Sequence, residues 1–200
     1  MAFGKLNIEP FKPLKIKCTD TDCGNDLHCF KATSQMKKAE QVGACRECGA
    51  DLVDWQRLHS RDDTDIEYTF ESLKHELIRH HFWHAEIDQR AENYAHRKGR
   101  TNLRLAVRSR IRSSIGSPNN PYDGRQTPME GSGNPIHYAQ HATATCCRKC
   151  VEYWHDIPAS QSLSTEEIQY LADLAMMYLD ERFPDLADEG KHVPAIRKNK

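Results

Sequence analysis

Mainly α, with a small β module ahead of the helices, is the fold class that three features of this 200-residue sequence predict. Apolar residues recur at helical spacing between about residues 69 and 115. Ser164 with Glu167 three residues on is a capping box that opens one more helix. The first sixty residues instead carry paired cysteines among short β-compatible stretches. The length suits one domain with an appended module, divided here as 1–60 for the cysteine module, 61–190 for the helical domain and 191–200 for a flexible basic tail. No apolar run reaches the roughly 18–20 residues of a membrane span, and the opening Met1 to Pro10 lacks a signal-like apolar stretch, so a soluble, cytoplasmic protein without membrane contact is expected. With 28 Lys and Arg against 29 Asp and Glu the formal charge is −1, and any electrostatic function has to be local.

Residues 1–17, with Pro10 and Pro13, read as an extended lead-in. Cys18-x4-Cys23-Gly24 and Cys45-x2-Cys48-Gly49 then form two cysteine pairs with 21 residues between Cys23 and Cys45. Zinc takes four soft ligands at tetrahedral corners, and two short-spaced pairs joined by a hairpin supply them. Each pair is followed by Gly, which can turn tightly under a thiolate. Cys18, Cys23, Cys45 and Cys48 are therefore the expected ligands of a structural zinc, and the β module is a zinc ribbon. Cys29 reads as a small buried hydrophobe. In a reducing compartment, eight Cys favour metal ligation over disulfides.

The polar run Arg61 to Asp65 connects this module to a helix with Thr69 as N-cap and a stripe of Phe70, Leu73, Leu77, His81 and His84. Glu76, His80 and His84 follow one another at four-residue spacing, as in a helical metal site, but completing an amphipathic helix is the better reading. His84-Ala85-Glu86 with Cys147-x2-Cys150 resembles a zinc-deaminase signature, yet eleven His and fourteen Glu make one such match expected by chance. A second helix from about Ile87 closes at Gly99. A third, Asn102 to Ile115, buries Leu103, Val107, Ile111 and Ile115 and carries a ladder of Arg100, Arg104, Arg108 and Arg112. That ladder suits phosphate tracking on nucleic acid, weighed against pairing with the eight acids of residues 166–189. Residues 116–135, with four Pro and four Gly, read as a loop whose length points to a functional role.

His137, His141, Cys146, Cys147, Cys150 and His155 crowd into nineteen residues. With Thr145 as cap, the cysteines sit at a helix N-terminus, and a second metal held by His141, Cys146, Cys147, Cys150 and His155 is one reading beside buried core cysteines or a redox use. Asp123-Gly-Arg-Gln-Thr-Pro-Met129, Gln140-His-Ala-Thr-Ala-Thr-Cys-Cys-Arg-Lys-Cys150 and Trp154-His-Asp-Ile-Pro158 resemble the uncharacterised bacterial and phage domain family numbered 4186, over about residues 103–183. The resemblance implies a small, mainly helical domain marked at Gln126, Thr127, Pro128, His141, Cys146, Cys147 and Arg148, and places the ribbon and the histidine helix outside it. The expected function is a zinc-binding protein that engages nucleic acid through the Arg-rich helix, an accessory factor in a phage-host or defence setting. The alternatives are a metal-dependent enzyme on nucleic acid or nucleotides, with Asp123, Gln126, Thr127, His141 and Arg148 as catalytic candidates and His137 beside them on the metal, and a structural protein-protein interaction module.

Overall fold

In the computed structural model, residues 16–118, 126–128, 131–194 and 196 are described. Their helices are α1 (Ser34–Lys38), α2 (Trp55–His59), α3 (Ile66–Leu73), α4 (Leu77–His84), α5 (Gln89–Ile115), α6 (Pro135–Ala142), α7 (Arg148–His155) and α8 (Thr165–Arg182). The architecture is mainly helical, as the periodicity implies.

The β ribbon does not form among the described residues. They contain two isolated bridges, Asp22 with Leu27 and His28 with Glu76, and no sheet. The local sequence explains this. Cys23-Gly-Asn25 winds into a 3-10 turn closed by Asp26 at φ 59°, a left-handed position that Asp tolerates. Thr33 caps α1 by accepting from the Met36 amide at 3.1 Å, so the middle of the module is helical.

The helix expected from Thr69 to His84 is two helices. Between α3 and α4 the chain is extended at Glu76, where the N-terminal segment pairs with it: the His28 amide donates to His75 O at 2.8 Å and the Leu77 amide to His28 O at 3.0 Å. Thr69 is no cap. It lies inside α3, where its hydroxyl accepts from Tyr170 at 3.0 Å.

Gly99 does break α5, at φ 68°, a backbone conformation that costs glycine little. The chain after α8 lies against the break: the Arg100 amide donates to Ala187 O at 2.8 Å, the Thr101 amide to Asp188 O at 3.1 Å and the Lys191 amide to His96 O at 2.9 Å. Leu103, Val107, Ile111 and Ile115 are wholly buried and face α8, whose capping box closes with the Glu167 amide 3.1 Å from Ser164 Oγ.

α6 is the centre of the bundle. All eight of its residues are buried, packed among α4, α5 and α8, although half are polar, so each polar group needs an internal partner. Tyr138 donates to Asp88 Oδ2 at 3.0 Å, and Gln140 accepts from Arg110 Nε and Thr127 Oγ1 while donating to Thr145 O. The N-terminal segment shares this core: Phe30 and Trp55 meet Trp154 edge-on and tilted, at 6.0 and 5.1 Å between ring centroids.

Candidate metal centres

Two turns build the first centre. Asp22 to Leu27 forms a tight loop with reciprocal backbone bonds, which sets Cys23 and His28 on its two sides. The Cys45 to Gly49 turn, closed by Gly49 N to Cys45 O at 2.9 Å, presents Cys45 and Cys48. The ligating atoms of Cys23, His28, Cys45 and Cys48 all lie within 4.8 Å of one another. Cys23 Sγ is 3.8 Å from Cys45 Sγ, and Cys48 Sγ is 3.4 Å from His28 Nδ1. Tetrahedral bonds of about 2.3 Å put sulfurs roughly 3.8 Å apart, so the spacing suits a single ion.

The surroundings prepare the donors. His28 Nε2 donates to Asp26 Oδ1 at 3.0 Å, which leaves Nδ1 with the lone pair that faces the sulfurs. Burial pushes the Cys45 thiol up, but amides of Cys48, Cys29 and Glu47 and the His28 ring outweigh it and bring the pKa down to about 6. Burial lowers His28, but Asp26, Cys45 and Cys48 outweigh it and raise it to about 9, so without an ion Nδ1 holds a proton at neutral pH that a metal has to displace to reach that lone pair.

Of the four cysteines expected here, the fold gathers three and puts His28 in the fourth place. Cys18 lies elsewhere, beside Cys150. The spacing signal for His28 was present in Cys23-x4-His28, but an unpaired Cys-x4-Cys pattern one turn earlier masked it. Cys29 is fully buried, as expected of a small hydrophobe, and its thiol donates to Cys18 O at 3.4 Å.

The second group is Cys146, Cys147 and Cys150, all buried, with their sulfurs within 4.8 Å of one another. Cys147, not Thr145, is the N-cap of α7. Neither histidine proposed for this site joins it. His141 stacks on Phe82 at 4.4 Å and donates from Nε2 to Pro128 O at 3.1 Å, while His155 donates to Thr143 O at 3.1 Å. In their place stands Arg79, fully buried on α4, which donates to Cys150 Sγ at 3.3 Å, Cys146 Sγ at 3.9 Å and His141 O at 2.6 Å. Glu76 orients it at 3.0 Å and accepts in addition from Trp154 Nε1 at 2.8 Å and Tyr153 OH at 3.1 Å. Hydrogen bonds from Cys146, Cys147 and Cys18, with Arg79 nearby, hold the Cys150 thiol far below its usual range against the effect of burial.

The other expected sites resolve as follows. Arg148 is buried against three carbonyls, Ile115, Pro158 and Gln161, where it braces the end of α5. Thr127 is knotted to Gln140 and Gln126 O accepts from Arg110 at 2.7 Å. Asp123 lies outside the described residues. His137 shares a hydrogen bond with Ser132 Oγ at 2.7 Å, and burial, Arg110 and His141 lower its pKa to about 4. Glu76 turns into the core, away from His80 and His84, whose rings lie 4.0 Å apart at the surface. His84 is not gathered with the cysteines, so the deaminase-like pattern does not assemble among the described residues. In the ladder, Arg104 meets Asp173 at 2.7 Å and Arg100 meets Asp180 at 3.3 Å, both acids of α8.

Either group of soft donors could hold a metal ion. No described helix is long and apolar enough to cross a membrane. Residues 67–180 match the model of a family described as Domain of unknown function (DUF4186). The chain belongs to this family. The DUF4186 match begins in α3, so the histidine helix lies inside the family region and not in an added module; only the segment that carries the first centre precedes it. No solved structure matches the chain.

Proposed function

We propose that this chain is a zinc-binding protein that engages nucleic acid along α5, with Cys23, His28, Cys45 and Cys48 holding a structural zinc. Three thiolates and an imidazole close the coordination sphere and leave no position for substrate. The zinc therefore folds the N-terminal segment and does not catalyse. This part of the reading is tested by elemental analysis. About one zinc per chain should be lost in both Cys48→Ser and His28→Ala, and retention of zinc at the wild-type level in both would overturn it.

The observation that carries the nucleic-acid part is a groove of about 600 Å³ on the face of α5 away from α8. Arg97, Lys98 and Arg110 line it with Asn102, Ser109 and Ser113, and no acid is among its described lining residues. Lys98 rides over the Tyr94 ring at 5.5 Å, a cation beside an aromatic face on which a base could stack. The Arg100 and Arg104 side of the helix is partly neutralised by α8, so the phosphate-tracking role expected of the ladder passes to this opposite face.

Arg110 is committed to Gln140 and Gln126, so two phosphate contacts, at Arg97 and Lys98, predict a slope of log affinity against log salt of about −1.4 for single strands and about −1.8 for duplex. Fluorescence anisotropy with a labelled 20-nucleotide single strand and the matching duplex measures it. Arg97→Ala/Lys98→Ala should weaken binding at least fivefold, while Arg104→Ala should leave it within twofold. Absence of binding at low salt, or equal losses in both variants, would refute the groove.

A further inference from the structure

We infer that Cys18 joins Cys146, Cys147 and Cys150 to make a second centre, four thiolates around one zinc ion, in which the N-terminal segment supplies the ligand that the family region lacks. The family region from residue 67 to 180 contains three cysteines, and all three converge. Cys18 lies beside Cys150, near enough for the two thiols to perturb one another. It sits at the exposed edge of the group, outside the three sulfurs that are all within 4.8 Å of one another, so an ion would draw it in. Its backbone is fixed there, because Cys18 O accepts from the Cys29 thiol at 3.4 Å and the Cys29 carbonyl accepts from the Arg46 amide at 2.9 Å. The same strap of chain thus runs past both centres: Cys18 lies beside Cys150 of the second, and Cys23, five residues on, belongs to the first.

Burial and charge point to a metal in preference to core thiols. A buried guanidinium needs anionic or strongly polar acceptors, and neutral thiols are weak ones. Yet Arg79 turns two of its three nitrogens toward the sulfurs of Cys146 and Cys150. Thiolates satisfy it, and thiolates this close together repel unless a cation lies between them. One zinc with four thiolates carries a net charge of −2, which Arg79 reduces through N–H···S bonds of the kind that tune sulfur ligands. The spacing suits a single ion. A [4Fe–4S] cluster binds each cysteine to a different iron and a [2Fe–2S] cluster takes two per iron, whereas here three sulfurs all lie within 4.8 Å of one another, as around one ion.

The full-length chain tests this through metal counts in which each centre is read separately. Wild type should carry two zinc ions, Cys48→Ser one and Cys18→Ser one. With cobalt(II) as probe, Cys48→Ser keeps the four-thiolate centre and should show a stronger sulfur-to-cobalt band per metal than Cys18→Ser, which keeps three thiolates and His28. If Cys18→Ser is insoluble, Cys18→His preserves a donor and should restore a soluble chain with two metals; insolubility of both counts against the proposal. Two zinc ions in Cys18→Ser would exclude Cys18 as a ligand. A wild type with one zinc, lost in Cys48→Ser, would exclude the second centre while leaving the first intact. A disulfide among Cys146, Cys147 and Cys150 by mass spectrometry would do the same.

Discussion

Glu76→Gln isolates the charge at the most buried ionic site of the described chain. Glu76 and Arg79 are each 1% exposed and 3.0 Å apart. A glutamine in the same position keeps the hydrogen bonds. Its carbonyl oxygen can stand in for Oε2, which accepts from Arg79 Nε and Trp154 Nε1. Its amide then faces the Tyr153 hydroxyl, which can rotate from donor to acceptor. What disappears is the negative charge. At an effective dielectric of about 20, unit charges about 4 Å apart attract by roughly 4 kcal/mol. Burial already disfavours the charged carboxylate and pushes its pKa up, so glutamine recovers part of that penalty. Removing one partner of a buried pair typically costs about 3–5 kcal/mol, and about 3 kcal/mol is expected here. Urea denaturation of the purified chain reads this directly, with metal content matched between variants. A loss below about 1 kcal/mol would mean that Arg79 does not depend on Glu76 for its charge balance, and the account of the pair would be wrong.

Gly99→Ala places a methyl 2.5 Å from Gly190 N and 2.6 Å from Asp188 O at a φ of +68°, so it should cost about 2–3 kcal/mol in the same assay, whereas Gly24→Ala, with open space around it, should stay within about 0.5 kcal/mol. Arg104→Ala breaks a 2.7 Å pair with Asp173 whose side chains are 48% and 32% exposed, and water screening should keep the loss under about 1 kcal/mol by thermal unfolding. Burial drives the wholly buried His155 down to about 3, against the opposing bond to Thr143 O, while the unfolded chain protonates near 6.5. The neutral ring therefore stabilises the fold above about pH 6.5, and that stabilisation is lost as pH falls toward 3. Between pH 7 and pH 5 the loss is about 2 kcal/mol, and His155→Gln, which keeps a donor for Thr143 O, should flatten the pH profile by that amount in urea denaturation at the two pH values.

Where the physics is local, the sequence was readable. Ser164 with Glu167, the break at Gly99 and the Leu103 to Ile115 stripe depend on hydrogen bonds and side-chain spacing within a few residues, and each stands in the structure as the pattern implies. The errors occur where a distant segment intervenes. The helix through Thr69 and His84 breaks because residue 28 bridges to residues 75 and 77, a contact across about fifty positions that periodicity does not encode. Pairing the cysteines by nearest spacing misassigned Cys18 for a similar reason. Cys18 and His28 both lie five residues from Cys23, so spacing alone treats them alike, and only the turn at Asp26 decides which one closes on Cys45 and Cys48.

The residues that mark the family resemblance are mostly spent inside the fold, and this shifts where recognition should be sought. Arg148 holds the carbonyl end of α5 to the 158–161 loop, Gln140 ties α5 to residues 127 and 145, and His141 on α6 is stacked on Phe82 of α4 and hydrogen-bonded to Pro128 O. A buried side chain committed to such bonds has little to offer a ligand, because releasing it leaves its partner unsatisfied at about 1–3 kcal/mol. These groups instead fix α6 and the Cys146 to Cys150 turn against Arg79. The exposed face of α5 meets no such demand, and its cations at Arg97 and Lys98 can be changed without loosening the core. If the family shares one scaffold, differences among its members in what they bind should therefore concentrate on that face, and substitutions there should alter binding while leaving stability within about 0.5 kcal/mol.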